Sequence, residues 1–161
     1  MKKFLAAAMV ATLFAPGAFA AEVSAAEFVA KASESGLAEV QKGRLAASKG
    51  QSAGVRAFGQ RMVTDHGKAN SELEAIAGRK QLRLTREVGN LQQRAIDDLG
   101  AKSGADFDRE FARQMVADHA RAVTLFTEAS ELEDADLAGF ASRTLPVLKD
   151  HHEKSQHLGA H

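Results

Sequence analysis

Phe58-Gly59-Gln60-Arg61-Met62-Val63-Thr64-Asp65-His66-Gly67-Lys68-Ala69 decides the fold of this 161-residue chain. Around it, Val55, Phe58, Met62, Ala69, Leu73 and Ile76 recur at three- and four-residue steps, the spacing of one helix face. Ser52 is placed to open that helix and Gly78 to stop it near Ala77. The stretch returns as Phe111-Ala112-Arg113-Gln114-Met115-Val116-Ala117-Asp118-His119-Ala120-Arg121-Ala122. Phe, Met, Val, Asp, His and Ala coincide, and a shorter echo appears at Leu148-Lys149-Asp150-His151. The chain therefore places an Asp-His pair on each of three helices.

Working outward, Ser24 caps a first helix reaching about Ser48, with Glu27 completing a capping box and Gly50 ending it. Its face carries Phe28, Val29, Ala32, Gly36, Val40, Gly43 and Ala47. Residues 79–104 are a crossover with a short helix over about Thr85 to Leu99, apolar at Val88, Leu91, Ala95 and Leu99. Ser103 or Asp106 starts the next long helix, which runs to about Glu131 behind Phe107, Phe111, Met115, Ala122, Val123 and Phe126. Asp134 caps the last helix, with Leu137, Phe140, Ala141, Leu145, Leu148 and Leu158 inward and a kink expected at Pro146. No segment alternates with period two. The reading is all-α: a four-helix bundle with one long crossover containing a short extra helix.

The ends and the composition narrow the function. Lys2 and Lys3, the apolar run Phe4 to Phe14 and Ala18-Phe19-Ala20 have the form of a secretory signal peptide over residues 1–20. The run is too short for a membrane span. The expectation is a helical domain over residues 21–161 that works in the periplasm or outside the cell. Its 21 basic and 21 acidic residues balance, and removing the leader's two lysines makes it weakly acidic. Such a balance gives no footprint for nucleic acid. The absence of Cys excludes disulfides, iron–sulfur clusters and thiol catalysis. There is no nucleophile elbow, phosphate loop or pair of catalytic carboxylates, so enzymatic catalysis is the lesser expectation.

The histidines carry the functional signal. At about 100° per residue, His66, His119 and His151 fall on or beside the apolar stripes of their helices, and Glu39 does so on the first. All four sit within about a turn of mid-helix, so an antiparallel packing brings them to one level. Three imidazoles and a carboxylate form a ligand set for one transition-metal ion, with iron or zinc fitting it. Met62 and Met115 lie one turn before His66 and His119; as thioether ligands they would favour copper, and as packing they fill the core. His152 is a further candidate ligand, while His157 and His161 are expected in solvent. Asp65, Asp118 and Asp150 each point about 100° from their own His and are placed to accept a hydrogen bond from an imidazole of a neighbouring helix. No Glu is followed three residues later by His, which excludes the usual di-iron pattern. The competing reading is a metal-free envelope module in which a buried Glu/His layer fixes helix register.

These residues carry a resemblance. Phe28-Val29, Ala38-Glu39-Val40, Phe58 to Val63, Ser103-Gly104 with Phe107-Asp108, and Thr144-Leu145-Pro146 with His151 are similar to the bacterial domain of unknown function 4142 family over about residues 24–158. The resemblance implies a ferritin-like exported helical bundle with Glu39, His66, His119 and His151 as its polar positions. It implies no activity. His152 falls where that pattern is usually apolar, which favours His151 as the ligand.

Overall fold

The computed structural model describes residues 23–158; the leader expected over residues 1–20 and His161 lie outside them. Five helices and no strand are present among the described residues: α1 (Ala25–Lys49), α2 (Ala53–Lys80), α3 (Asn90–Gly100), α4 (Gly104–Ala129) and α5 (Ala135–Ser155). Local sequence sets most of the boundaries. Ser24 Oγ accepts the Glu27 N–H at 3.2 Å, and Ser52 Oγ accepts that of Val55 at 3.2 Å. Asp134 Oδ1 accepts from both Asp136 and Leu137 at 3.1 Å. Each cap satisfies donors that the first helical turn leaves free.

Three expectations are corrected. Gly78 does not end α2, which continues to Lys80 and stops where Gln81 takes a left-handed φ of 56°. Nothing terminates a helix at a lone glycine unless the chain turns there, and no Cβ at Gly78 would meet a neighbour. The crossover helix begins at Asn90 rather than Thr85, and its buried face is Ile96 and Leu99, with Leu91 78% exposed. The segment before it is held extended by long-range bonds: Thr85 N–H to Ser33 Oγ at 2.9 Å and Gly89 N–H to Glu34 Oε1 at 3.0 Å. Leu158 lies beyond the end of α5, though it still packs against the core. Pro146 sits inside α5, which runs on through it. The proline is exposed, so water can serve the carbonyl it leaves unpaired.

The helices pack as two hairpins. α1 lies along α2, α4 along α5, and the hairpins meet through α1 with α4 and α2 with α5; α3 rests on α1 and α4. Glycine lets α1 and α2 approach closely. A Cβ on Gly59 would stand 2.6 Å from Ala46 Cβ and 2.7 Å from the Gly43 carbonyl oxygen, so neither helix could hold a larger residue there without moving. Asp108 of α4 ties down the α1–α2 turn by accepting the Gln51 and Ser52 N–H groups, each at 2.8 Å.

The apolar core is divided. One cluster gathers Phe28, Leu73, Ile76, Phe126, Leu137, Phe140 and Leu148. The other gathers Val55, Phe58, Met62, Leu99, Phe107, Phe111 and Met115. Along every long helix, buried polar residues separate the two: Glu39 and Lys42 on α1, His66 on α2, His119 on α4 and His151 on α5. The chain has built a polar layer across the middle of its core. No described helix is long and apolar enough to cross a membrane.

Candidate metal centre in the polar layer

Met62 and Met115 support the layer from the second cluster, one helical turn before His66 and His119. That spacing puts each imidazole directly past a packed thioether on the same face. His66, His119 and His151 are 8%, 1% and 0% exposed. Their ring centroids form a nearly equilateral triangle with sides of 5.5, 5.5 and 5.3 Å. One ligand nitrogen from each lies within 4.8 Å of the other two. His66 Nε2 and His119 Nε2 are 3.3 Å apart. Two imidazoles bound to one tetrahedral ion at 2.0–2.1 Å place their nitrogens about 3.3 Å apart.

The protons can be assigned from the partners. A carbonyl only accepts, so the 2.8 Å contact to Met115 O makes His119 Nδ1 the donor. In the neutral ring this leaves Nε2 as a bare lone pair facing His66. Asp65 Oδ2 lies 2.9 Å from His151 Nε2, so that nitrogen donates to the carboxylate. His151 Nδ1 is then the lone pair, and it is buried with no hydrogen-bond partner. Such an orphan costs ~1–3 kcal/mol. Two of the three rings thus have their second nitrogen fixed by an oxygen, the arrangement that orients imidazole ligands. Burial holds all three histidines below their ordinary protonation range: His66 well below, with the neighbouring imidazoles adding to the effect, His119 to about 4, and His151 less because Asp65 opposes the shift. The rings are neutral at pH 7, which metal binding requires.

Glu39 is not part of this close group of three. It is buried on the wall of a cavity that also touches His66, Asp118 and His119. Burial pushes its carboxyl up to about 8, against the pull of Lys42 and with the push of Asp118. Its Oε2 has no partner, and its Oε1 lies 3.8 Å from Lys42 Nζ. Lys42 is the residue that sequence reading missed. It is 1% exposed and its ammonium hydrogen-bonds Asp118 across the α1–α4 seam. The available signal was its place one turn after Glu39, although a lysine that far from the apolar stripe reads as solvated.

The three aspartates separate in role. Asp65 accepts from an imidazole of another helix, as the sequence suggested. Asp118 instead pairs with Lys42 and Arg121, and Asp150 with Arg61 at 2.6 Å and Lys154 at 2.9 Å. Arg61 also reaches Asp65 at 3.2 Å, linking Asp150 to the layer through one intermediate. Met62 and Met115 have their side chains in the apolar cluster, and His152 is half-buried beside Gln156 at 3.1 Å and is not part of the close group of three.

The cavity occupies about 490 Å³ between the hairpins. Its lining includes exposed Lys31, Arg121 and Glu128 and buried Glu39, His66 and His119.

Comparison with known proteins agrees with this architecture. A crystal structure of a DUF305 fragment from Deinococcus radiodurans is similar in fold, with a TM-score of 0.74 at 13% identity over 84% of this chain and 94% of that one. No curated protein matches the chain. A family model described as Domain of unknown function (DUF4142) matches residues 11–158. The match spans most of the chain, with Glu39, Asp108 and all three layer histidines inside it, and the chain belongs to that family.

Proposed function

We propose that this protein is an exported, ferritin-like four-helix bundle that binds one transition-metal ion in its core and serves in periplasmic metal handling, storage or stress. His66, His119 and His151 are the ligands, through Nε2, Nε2 and Nδ1. The observation that carries the reading is three buried imidazoles with one nitrogen of each within 4.8 Å of the others, together with a buried His151 Nδ1 that has no hydrogen-bond partner. Glu39 is the fourth ligand in this reading; it must lose its proton to bind, and its unpartnered Oε2 is the atom available. Nitrogen and carboxylate donors suit iron or zinc, and copper if Met62 or Met115 turns inward.

Export rests on the form of residues 1–20, and is tested by whether the protein released from cells begins at Ala21. Metal analysis of purified protein tests the site. Wild type is expected to carry about one ion per chain, and His66→Ala and His119→Ala far less. Equal, negligible metal in all three would end the proposal.

One observation favours a second reading. Lys42 places a cation in the layer, paired with Asp118, as a structural polar layer would require and an adjacent metal cation would oppose. In that reading the layer only sets register in a metal-free envelope module. Replacing His66 and Glu39 together by Leu would then hold or raise stability.

A further inference from the structure

The cavity that His66 and His119 help to line has a character of its own. Its volume is about 490 Å³. That lies in the range of small-molecule sites, which are mostly apolar with a few polar groups at one end. Its long walls are Leu73, Leu125, Phe126, Phe140 and Leu148. Gly36, Ala69 and Ala122 are the small residues of its lining, and Asn70 packs so closely over Gly36 that a Cβ there would meet its carboxamide oxygen at 1.9 Å. At the inner end stand Glu39, His66 and His119. Glu39 is 95% buried, and its unpartnered Oε2 is a hydrogen-bonding atom with nothing to bond.

Charge selects the occupant. The single buried cation among the described residues, Lys42, is already matched to Asp118. An organic anion brought to the inner end would be desolvated with no unpaired buried cation to meet it, and an organic ammonium would bring three donors where one carboxylate oxygen is unpartnered, each at a cost of several kcal/mol. An uncharged hydroxyl meets no such penalty, because it can donate to Glu39 or an imidazole nitrogen and accept in return.

We propose that this cavity binds an uncharged amphiphile, a phenol or alcohol with an apolar tail, whose hydroxyl sits at Glu39, His66 and His119 and whose tail lies against Leu73, Phe126 and Phe140. The proposal concerns the metal-free protein and does not rest on metal binding, since a metal held by Glu39 and the imidazoles would take up the atoms that the hydroxyl needs.

Calorimetric titration of chelator-treated protein with 4-pentylphenol tests it. Saturable 1:1 binding is expected, at least tenfold tighter than for hexanoate, hexylammonium or the methyl ether 4-pentylanisole. Ala122→Phe, which fills the cavity, should weaken it at least tenfold. Nuclear Overhauser contacts from the bound probe to Leu73 and Phe126 in wild type locate the tail independently of any variant. No saturable binding, equal affinity for a charged analogue, or contacts confined to other residues would overturn the proposal. So would unchanged affinity in a folded Ala122→Phe protein.

Discussion

Replacing Lys42 with Met removes a buried charge while keeping the length and most of the volume of the side chain. The lysine ammonium bonds Asp118 and stands 3.8 Å from Glu39. Without it, Asp118 keeps Arg121 but faces a low-dielectric interior on its inner side. Removing one partner of a buried pair costs about 3–5 kcal/mol. Asp118 retains 14% side-chain exposure and a second arginine, which places the expected loss near the lower end, ~3 kcal/mol. For a domain of this size that is a fall in Tm of about 10 °C. Urea unfolding of the metal-free protein measures it, and Lys42→Met/Asp118→Asn completes a double-mutant cycle with an expected coupling of about 1.5–3 kcal/mol. A loss below about 0.5 kcal/mol, the ordinary range for an exposed site, would mean that Lys42 does not balance the layer.

The layer also predicts how stability follows pH. The His119 imidazolium is disfavoured by folding, so the unfolded chain takes up its proton first; stability is whole above the ordinary value of 6.5 and falls by about 3 kcal/mol as pH drops through about 4. Glu39 acts with the opposite sign: its proton is kept up to about 8 in the fold and lost near 4.5 in the unfolded chain, so metal-free wild type should lose about 2 kcal/mol between pH 6.5 and 8. Glu39→Gln should be flat over that upper interval in urea titrations, and a parallel decline in both proteins would refute the assignment. Gly59→Val should destabilise by about 1–3 kcal/mol through overpacking against Ala46 and Gly43, visible in thermal melts followed by circular dichroism. Asp65→Asn leaves a weaker acceptor for His151 Nε2 and should lower metal affinity about 10- to 100-fold with little change in helicity; unaltered affinity would remove Asp65 from the site.

Much of this architecture is legible in the chain because helical periodicity reports directly on burial. Phe58, Met62 and His66 recur on one face, and Phe111, Met115 and His119 on another, so the inward direction of two imidazoles follows from spacing alone. Ser24, Ser52 and Asp134 mark helix starts because their oxygens satisfy donors within the same turn. What stayed hidden depends on partners distant in sequence. Lys42 reads as solvated until Asp118, 76 residues away, is beside it. The late start of α3 depends on Ser33 and Glu34 holding the preceding strand of chain extended. The split core was implicit in the polar interruptions, but the cavity was not, since an empty volume leaves no periodicity. The Asp108 clamp on the α1–α2 turn likewise has no local signature, although Phe107-Asp108 was among the residues carrying the family resemblance.

X-ray absorption at the zinc edge addresses the centre itself. Metal-free protein would be given one equivalent of zinc, freed of excess by desalting, and examined for the scattering of its nearest shell. The account predicts retained zinc with nitrogen and oxygen neighbours at about 2.0–2.1 Å and the outer-shell pattern of about three imidazoles, reduced by one in His151→Ala. Zinc lost on desalting, or held by oxygen alone with no imidazole scattering, would contradict it.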